Sequence, residues 1–140
     1  MCPCSDPGWF EWGVRVRYAD TDAQGTVYHA RYLEFLEAAR SELIRHLGLS
    51  QRVFEENGVG TVVTHLELRF RNPARVDDVL RVLAQLGRIR SREIEFKYRV
   101  EHAESGRLLL EGATRHVFVD EAGRVVQVPA FVLDLLSPPV

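Results

Sequence analysis

Cysteine is almost missing from this chain of 140 residues: there are two, Cys2 and Cys4, both inside Met1-Cys-Pro-Cys-Ser-Asp-Pro7. Two thiols with no other cysteine in the chain do not make a zinc framework, and their spacing argues against a structural disulfide. The expectation is a frayed terminus with exposed thiols. No apolar run approaches the roughly 18 to 20 residues that a membrane span needs. The first residues also lack a basic segment followed by an apolar core, so they do not read as a secretory signal, and the expected compartment is the cytoplasm. Large charge of one sign is absent as well: 18 basic against 20 acidic residues leave a formal charge of −2. That balance argues against a nucleic-acid protein held by overall positive charge, while leaving room for a local basic patch on a phosphorylated small molecule. Lysine is reduced to Lys97, so nearly every cation is an arginine, whose forked guanidinium suits bidentate phosphate contacts.

What remains is the size and composition of one domain with a single core. Residues 1–10 are expected to form a flexible tail and 11–140 one domain. Trp12, Val14, Val16 and Tyr18 alternate with Gly13, Arg15 and Arg17, the period of a half-buried strand that would deliver Tyr18 to the turn after it. From about His29 to Leu47 the period becomes that of a helix, with Leu33, Leu36, Leu43 and Leu47 on one stripe widened by Tyr32, Phe35, Ala38 and Ile44. Gly48 reads as its C-terminal cap, and Ser50 to Asn57 as a short second helix. Four strand segments follow, around Leu66–Phe70, Leu80–Leu86, Ile94–Val100 and Leu108–Val119, linked as hairpins. Val125 to Val128 reads as a short strand and Ala130 to Leu136 as a last helical turn opened by Pro129. The expected class is α+β, with an antiparallel sheet of five to six strands wrapped around one long central helix. Such a sheet keeps open edges, which a second copy of the chain can pair.

The densest chemistry lies in Tyr18-Ala-Asp-Thr-Asp-Ala-Gln-Gly-Thr-Val-Tyr-His29, directly before the long helix. Asp20, Asp22, Tyr18 and His29 meet at a helix amino end, where unpaired N–H groups and the positive end of the macrodipole favour negative charge. On residue types alone Asp20 and Asp22 are equally turn or capping residues. Tyr18 is either a core aromatic or a hydrogen-bonding neighbour of the carboxylates. Glu37, two turns into a helix expected to be mostly covered, reads as a buried, hydrogen-bonded glutamate able to pair with Arg40. Arg88, Arg90 and Arg92 recur at every second residue, which places them on one face of a strand; the alternatives are a solvated face or a phosphate contact. His65, His102 and His116 read as structural or surface residues.

The run from Tyr18 to Arg40, together with Phe70-Arg-Asn-Pro-Ala-Arg-Val-Asp-Asp78, resembles the hotdog-fold acyl-CoA thioesterases of the 4-hydroxybenzoyl-CoA thioesterase family. The likeness is greatest to the short-chain acyl-CoA thioesterase branch associated with Tol-Pal genes. The resemblance implies hydrolysis of an acyl-CoA thioester to a free acid and coenzyme A. No metal and no other cofactor is implied, since coenzyme A is part of the substrate. It makes Asp22 the catalytic carboxylate, as nucleophile or as general base, and Asp20 and Gly25 its support. The backbone N–H near His29 becomes the group that polarises the carbonyl, the His29 side chain a candidate to orient water or substrate, and Tyr18 a further candidate catalytic residue beside the carboxylate. Tyr28 would flank the acyl pocket and Arg88, Arg90 and Arg92 the CoA phosphates. A homodimer or homotetramer with sites at the subunit interface is also implied. Competing readings are a hotdog hydratase or dehydratase acting on enoyl or 3-hydroxyacyl thioesters, a non-catalytic acyl-CoA binding protein, and a metal hydrolase built from Asp20, Asp22, His29 and His65. The first needs a His and acid spacing that this chain does not match, and the last has no recognised metal spacing.

Overall fold

A computed structural model describes residues 8–136. Cys2 and Cys4 lie outside the described residues. The first strand, β1 (Phe10–Arg15), already includes Phe10, which the sequence pattern leaves in the tail, and the Phe10 ring lies 5.6 Å from that of His46. After a single 3-10 turn at Tyr18–Asp20 come α1 (Arg31–His46), α2 (Gln51–Glu56) and β2 (Gly60–Phe70). The strands β3 (Val79–Ile89), β4 (Glu93–His102), β5 (Leu108–Val119) and β6 (Val125–Val126) follow, and α3 (Ala130–Leu136) ends the described chain. The six strands make one antiparallel sheet in the order β1-β3-β4-β5-β2, with β6 beside the end of β5. β2 therefore does not form a hairpin with β3, as the run of strand signals suggests. It crosses to the far edge and pairs with β5, and β3 pairs with β1.

α1 forms because its apolar residues keep helical spacing. Tyr32, Phe35, Leu36, Ala39 and Leu43 are all buried, and the helix packs on β1 and β3. Gly48, at φ +94, takes the left-handed conformation that releases the chain from α1. Ser50 then caps α2, its side chain accepting from the Val53 N–H at 3.2 Å. On the helix side of the sheet, Leu80, Val82 and Ala84 of β3 and Ile94, Phe96, Tyr98 and Val100 of β4 form the core; in β4 they alternate with Glu95, Lys97 and Arg99, while in β3 the intervening Leu83 is itself buried. β2 departs from this: Val62, Val63, Leu66 and Phe70 are each about half exposed, along a strand that has a neighbour on one side only.

Candidate active site

The acidic turn is built by local hydrogen bonds that the spacing of its residues permits. Val16 is buried and tied to the β3 entry by its N–H to the Asp78 carbonyl at 2.8 Å. The chain then makes its 3-10 turn, and Tyr18 is left 84% exposed, so neither the strand nor the core expectation for it holds. The reason is that strand pairing stops at Arg15, and the turn rotates the next side chains off the alternating pattern. Asp20 is fully buried. Its Oδ2 accepts from the Arg17 backbone N–H at 2.8 Å and from Arg17 Nε at 3.3 Å, and its Oδ1 accepts from Arg17 Nη2 at 3.0 Å. Arg31, from the first turn of α1, brings Nε to 3.4 Å of the same oxygen and donates to the Ala19 carbonyl at 3.3 Å. Burial works against ionisation of Asp20, but the Arg17 hydrogen bonds and the two guanidinium charges outweigh it and hold the carboxyl below its ordinary range. Asp20 thus ties strand, turn and helix together.

Asp22 faces the other way. It is exposed, at the tip of a small hairpin in which its N–H donates to the Thr26 carbonyl at 2.9 Å and its carbonyl accepts from Gly25 at 2.9 Å. Gly25 closes that turn at φ +80, a conformation that costs glycine little. One carboxylate oxygen, Oδ1, accepts from the Gln24 N–H at 2.9 Å, and Oδ2 has no hydrogen-bond partner among the described residues.

The chain enters α1 through Tyr28, whose N–H donates to the Asp20 carbonyl at 2.9 Å. Tyr28 and His29 are both exposed, with ring centroids 4.6 Å apart. The N-cap residue is Ala30, which has no side-chain oxygen to offer, and among the described residues no carbonyl accepts from the N–H of His29 or Ala30. Beside them lies a cleft of about 250 Å³ lined by Val27, His29, Tyr32, Phe70, Arg71, Asn72 and Pro73. Burial, with a smaller push from Asp78, raises the Tyr32 phenol to about 12, so it stays protonated, and its ring meets Phe70 edge-on at 5.8 Å. The free N–H donors and this small, partly apolar cleft together offer a place where a carbonyl oxygen can be held.

Two further expectations change. Glu37 is exposed and makes no hydrogen bond or ion pair, with Arg40 or any other described residue, because its helix face is not covered by the sheet. Arg88, Arg90 and Arg92 do not share a strand face: a register shift after Leu86 disturbs the end of β3, the strand stops at Ile89, and Arg90 and Arg92 sit in the exposed turn to β4. Arg90 is within 4.0 Å of Glu93. The turn lies at the opposite end of β3 from Asp78, the residue bonded to Val16. Sequence reasoning missed Arg17 and Arg31. Arg17, three residues before Asp20, carried a local signal; Arg31 is brought in by the fold. Among the described residues no group of three or more His, Cys, Asp or Glu side chains converges as a metal-ligand set.

A six-stranded antiparallel sheet in this order, with a long helix started by an acidic turn, defines a hotdog-fold protein of the thioesterase type. A family model described as the Thioesterase-like superfamily matches residues 16–136, and the chain belongs to that superfamily. It is 40% identical over 111 residues to the acyl-CoA thioester hydrolase YbgC of Escherichia coli, covering 79% of this chain and 82% of that one. It is 38% identical over 117 residues to the acyl-CoA thioesterase YbgC of Haemophilus influenzae, covering 83% and 84%. Among solved structures, the hypothetical protein TT1821 of Thermus thermophilus superposes with a TM-score of 0.84 at 39% identity, covering 91% of this chain and 96% of that one. A 4-hydroxybenzoyl-CoA thioesterase variant complexed with 4-hydroxybenzoyl-CoA has the same fold, with a TM-score of 0.85 at 24% identity, over 93% and 99%.

Proposed function

We propose that this protein hydrolyses an acyl-CoA thioester to a free carboxylic acid and coenzyme A, with Asp22 as the catalytic carboxylate. The carrying observation is the contrast between the two aspartates: Asp20 is buried and fully engaged, while Asp22 offers one unpartnered oxygen at the tip of the turn before an uncapped helix start. In this reading the free N–H groups of His29 and Ala30 hold the thioester carbonyl oxygen and stabilise the oxyanion as it forms. Asp22 either adds to the carbonyl carbon, with water later releasing the acid, or takes a proton from the attacking water. In both routes the carbon–sulfur bond breaks, and the sulfur leaves with a proton as the CoA thiol. The His29 and Tyr28 rings border the acyl group, and Tyr18 is left as an exposed neighbour. Gly25 keeps the turn closed.

Coenzyme A phosphates are assigned to Arg88, Arg90 and Arg92. In one chain these stand at the wrong end of the sheet for the Asp22 site, so the assignment calls for a second copy. Antiparallel pairing of two β2 edges about a twofold axis brings the arginine turn of one copy to the end of the joined sheet that carries the acidic turn of the other. The exposed apolar side chains of β2 support such pairing. The test is Asp22→Asn, with thiol release measured over a panel of acyl-CoAs. A loss of about a hundredfold or more in kcat, with Asp20→Asn losing folded protein instead, is expected. Wild-type turnover in Asp22→Asn would sink the reading.

A further inference from the structure

Between α1 and the sheet, remote from the acidic turn, runs a buried chain of polar groups that the mechanism above does not use. Arg40 Nη1 donates to Tyr98 Oη at 3.1 Å, Tyr98 Oη lies 2.8 Å from Thr114 Oγ1, and Thr114 Oγ1 lies 2.8 Å from His116 Nε2. Tyr98, Thr114 and His116 are 1%, 3% and 3% exposed. Arginine can only donate, so the Tyr98 hydroxyl accepts from Arg40, while the Tyr98–Thr114 and Thr114–His116 bonds can run in either direction. Burial, with the Arg40 charge adding to it, lowers the His116 imidazole to about 4 and keeps the ring neutral.

His116 Nδ1 has no hydrogen-bond partner among the described residues. The imidazole lines a cavity of about 30 Å³ together with Arg40, Thr61, Phe54, Ile94 and Phe96. The space suits one water-sized polar group and is otherwise apolar. Arg40, at its wall, has no carboxylate partner among the described residues. A cation and a neutral imidazole thus converge on a small apolar cavity.

The cavity and the cleft at His29 stand toward opposite ends of α1 and β2: Arg40, Thr61 and His116 line the one, and His29, Tyr32 and Phe70 the other. His29, Leu33, Glu37, Arg40 and Ile44 follow one another at spacings of three or four residues, so they share one stripe of α1 and its approach. Opposite them stand Phe70, Leu66 and Val63 of β2, paired through the sheet with Leu110, Thr114 and His116 of β5. Phe70 lines the cleft at His29, while Thr114 and His116 belong to the polar chain. From Arg31, its first residue, to Arg40 the helix advances about 14 Å. Leu33, Val63, Leu66 and Phe70 are all more than a third exposed, which leaves apolar walls between the two ends.

We propose that Arg40, with the Tyr98–Thr114–His116 chain behind it, is a specificity site that reads a carboxylate at the end of the acyl group remote from the thioester. The substrate class is then an ω-carboxyacyl thioester. The inference rests on the hydrolase reading above, because the Asp22 site stands toward the opposite end of α1. Charge complementarity selects the occupant: the cavity presents a guanidinium beside a neutral imidazole, and no acid among its lining residues. Glu37 stands on the same stripe three residues before Arg40, so a carboxylate that stops short meets a like charge. Preference for the ω-carboxyl group is therefore expected only once the chain is long enough to pass Glu37.

The test compares kcat/KM for ω-carboxyacyl-CoAs and unsubstituted acyl-CoAs of matched length, short, medium and long. The expected result is a preference of at least about tenfold for the ω-carboxyl substrate at one chain length, falling to parity or below in Arg40→Met. Tyr98→Phe, which removes the hydroxyl between Arg40 and Thr114, is expected to give an intermediate ratio. Faster cleavage of the unsubstituted thioesters at every length by the wild-type protein overturns the inference without any variant. A preference unchanged in Arg40→Met overturns it too. If no thioester of either series is cleaved, it is the hydrolase reading that has failed, and the two failures are distinguishable on the same plate. Should Arg40→Met not fold, the wild-type comparison and Tyr98→Phe decide the matter.

Discussion

Asp20 and Asp22 are two residues apart and sit in opposite surroundings, because one side chain is enclosed by Arg17 and Arg31 while the other is left at a turn tip. The consequences for stability against pH separate cleanly. The Asp20 carboxyl is depressed in the folded protein, so its contribution is complete above its unfolded value near 3.8 and is lost as pH falls toward the lower folded value. His116 acts in a higher window. Its folded value is lowered from 6.5 to about 4, so the unfolded chain binds a proton there that the folded protein refuses. Stability is complete above about 6.5 and falls as pH drops to about 4, by on the order of 3 kcal/mol. Urea midpoints measured across that window should show this slope in the wild-type protein and a shallower one in His116→Gln. An equal slope in both would remove His116 as the cause. At this scale the residue types announced an acidic site, but not which aspartate was enclosed. The same limit explains Tyr18 and Glu37: alternation and helical period say which residues share a face, not whether anything covers it.

At the scale of elements, the periods in the chain located α1, the two short helices and β3, β4 and β5 closely, since each has its own apolar spacing and its own cap or turn residue, whereas β2 begins at Gly60, well before the expected Leu66, and β1 ends at Arg15 rather than Tyr18. Ser50, Gly48 and Pro129 fall at the element ends where their chemistry is useful. The arginine row misled for a physical reason. Period-2 spacing persists in sequence whether or not the strand does, and β3 ends before Arg90. The β2–β5 junction carries a sharper constraint. A Cβ on Gly112 would lie 2.5 Å from the Glu67 carbonyl oxygen and 2.6 Å from Leu68 Cδ2. Gly112→Ala is therefore expected to push β2 off β5 and cost about 1–3 kcal/mol, read as a lowered Tm. A variant as stable as wild type would show that β2 can move away freely.

For the whole molecule, strand order decides most. Placing β2 at the sheet edge exposes Val63, Leu66 and Phe70 and supplies an edge for a second copy. The pairing is tested by light scattering. The wild-type protein is expected at twice the chain mass or a higher even multiple, and Val63→Lys combined with Leu66→Lys is expected as a monomer, since the twofold axis would set like charges against one another. A monomeric wild type at micromolar concentration would end the pairing and with it the arginine assignment for CoA. The sequence by itself determined the α+β class, most element positions, the acidic turn and, through its resemblance, the thioesterase reading, because all of these rest on local spacing and residue chemistry. Tertiary structure alone decided that Asp20 is the enclosed carboxylate, that the arginines stand at the other end of the sheet, and that Arg40 meets Tyr98, Thr114 and His116. Those facts depend on which strands become neighbours across dozens of residues, and the backbone's local preferences carry no record of that choice.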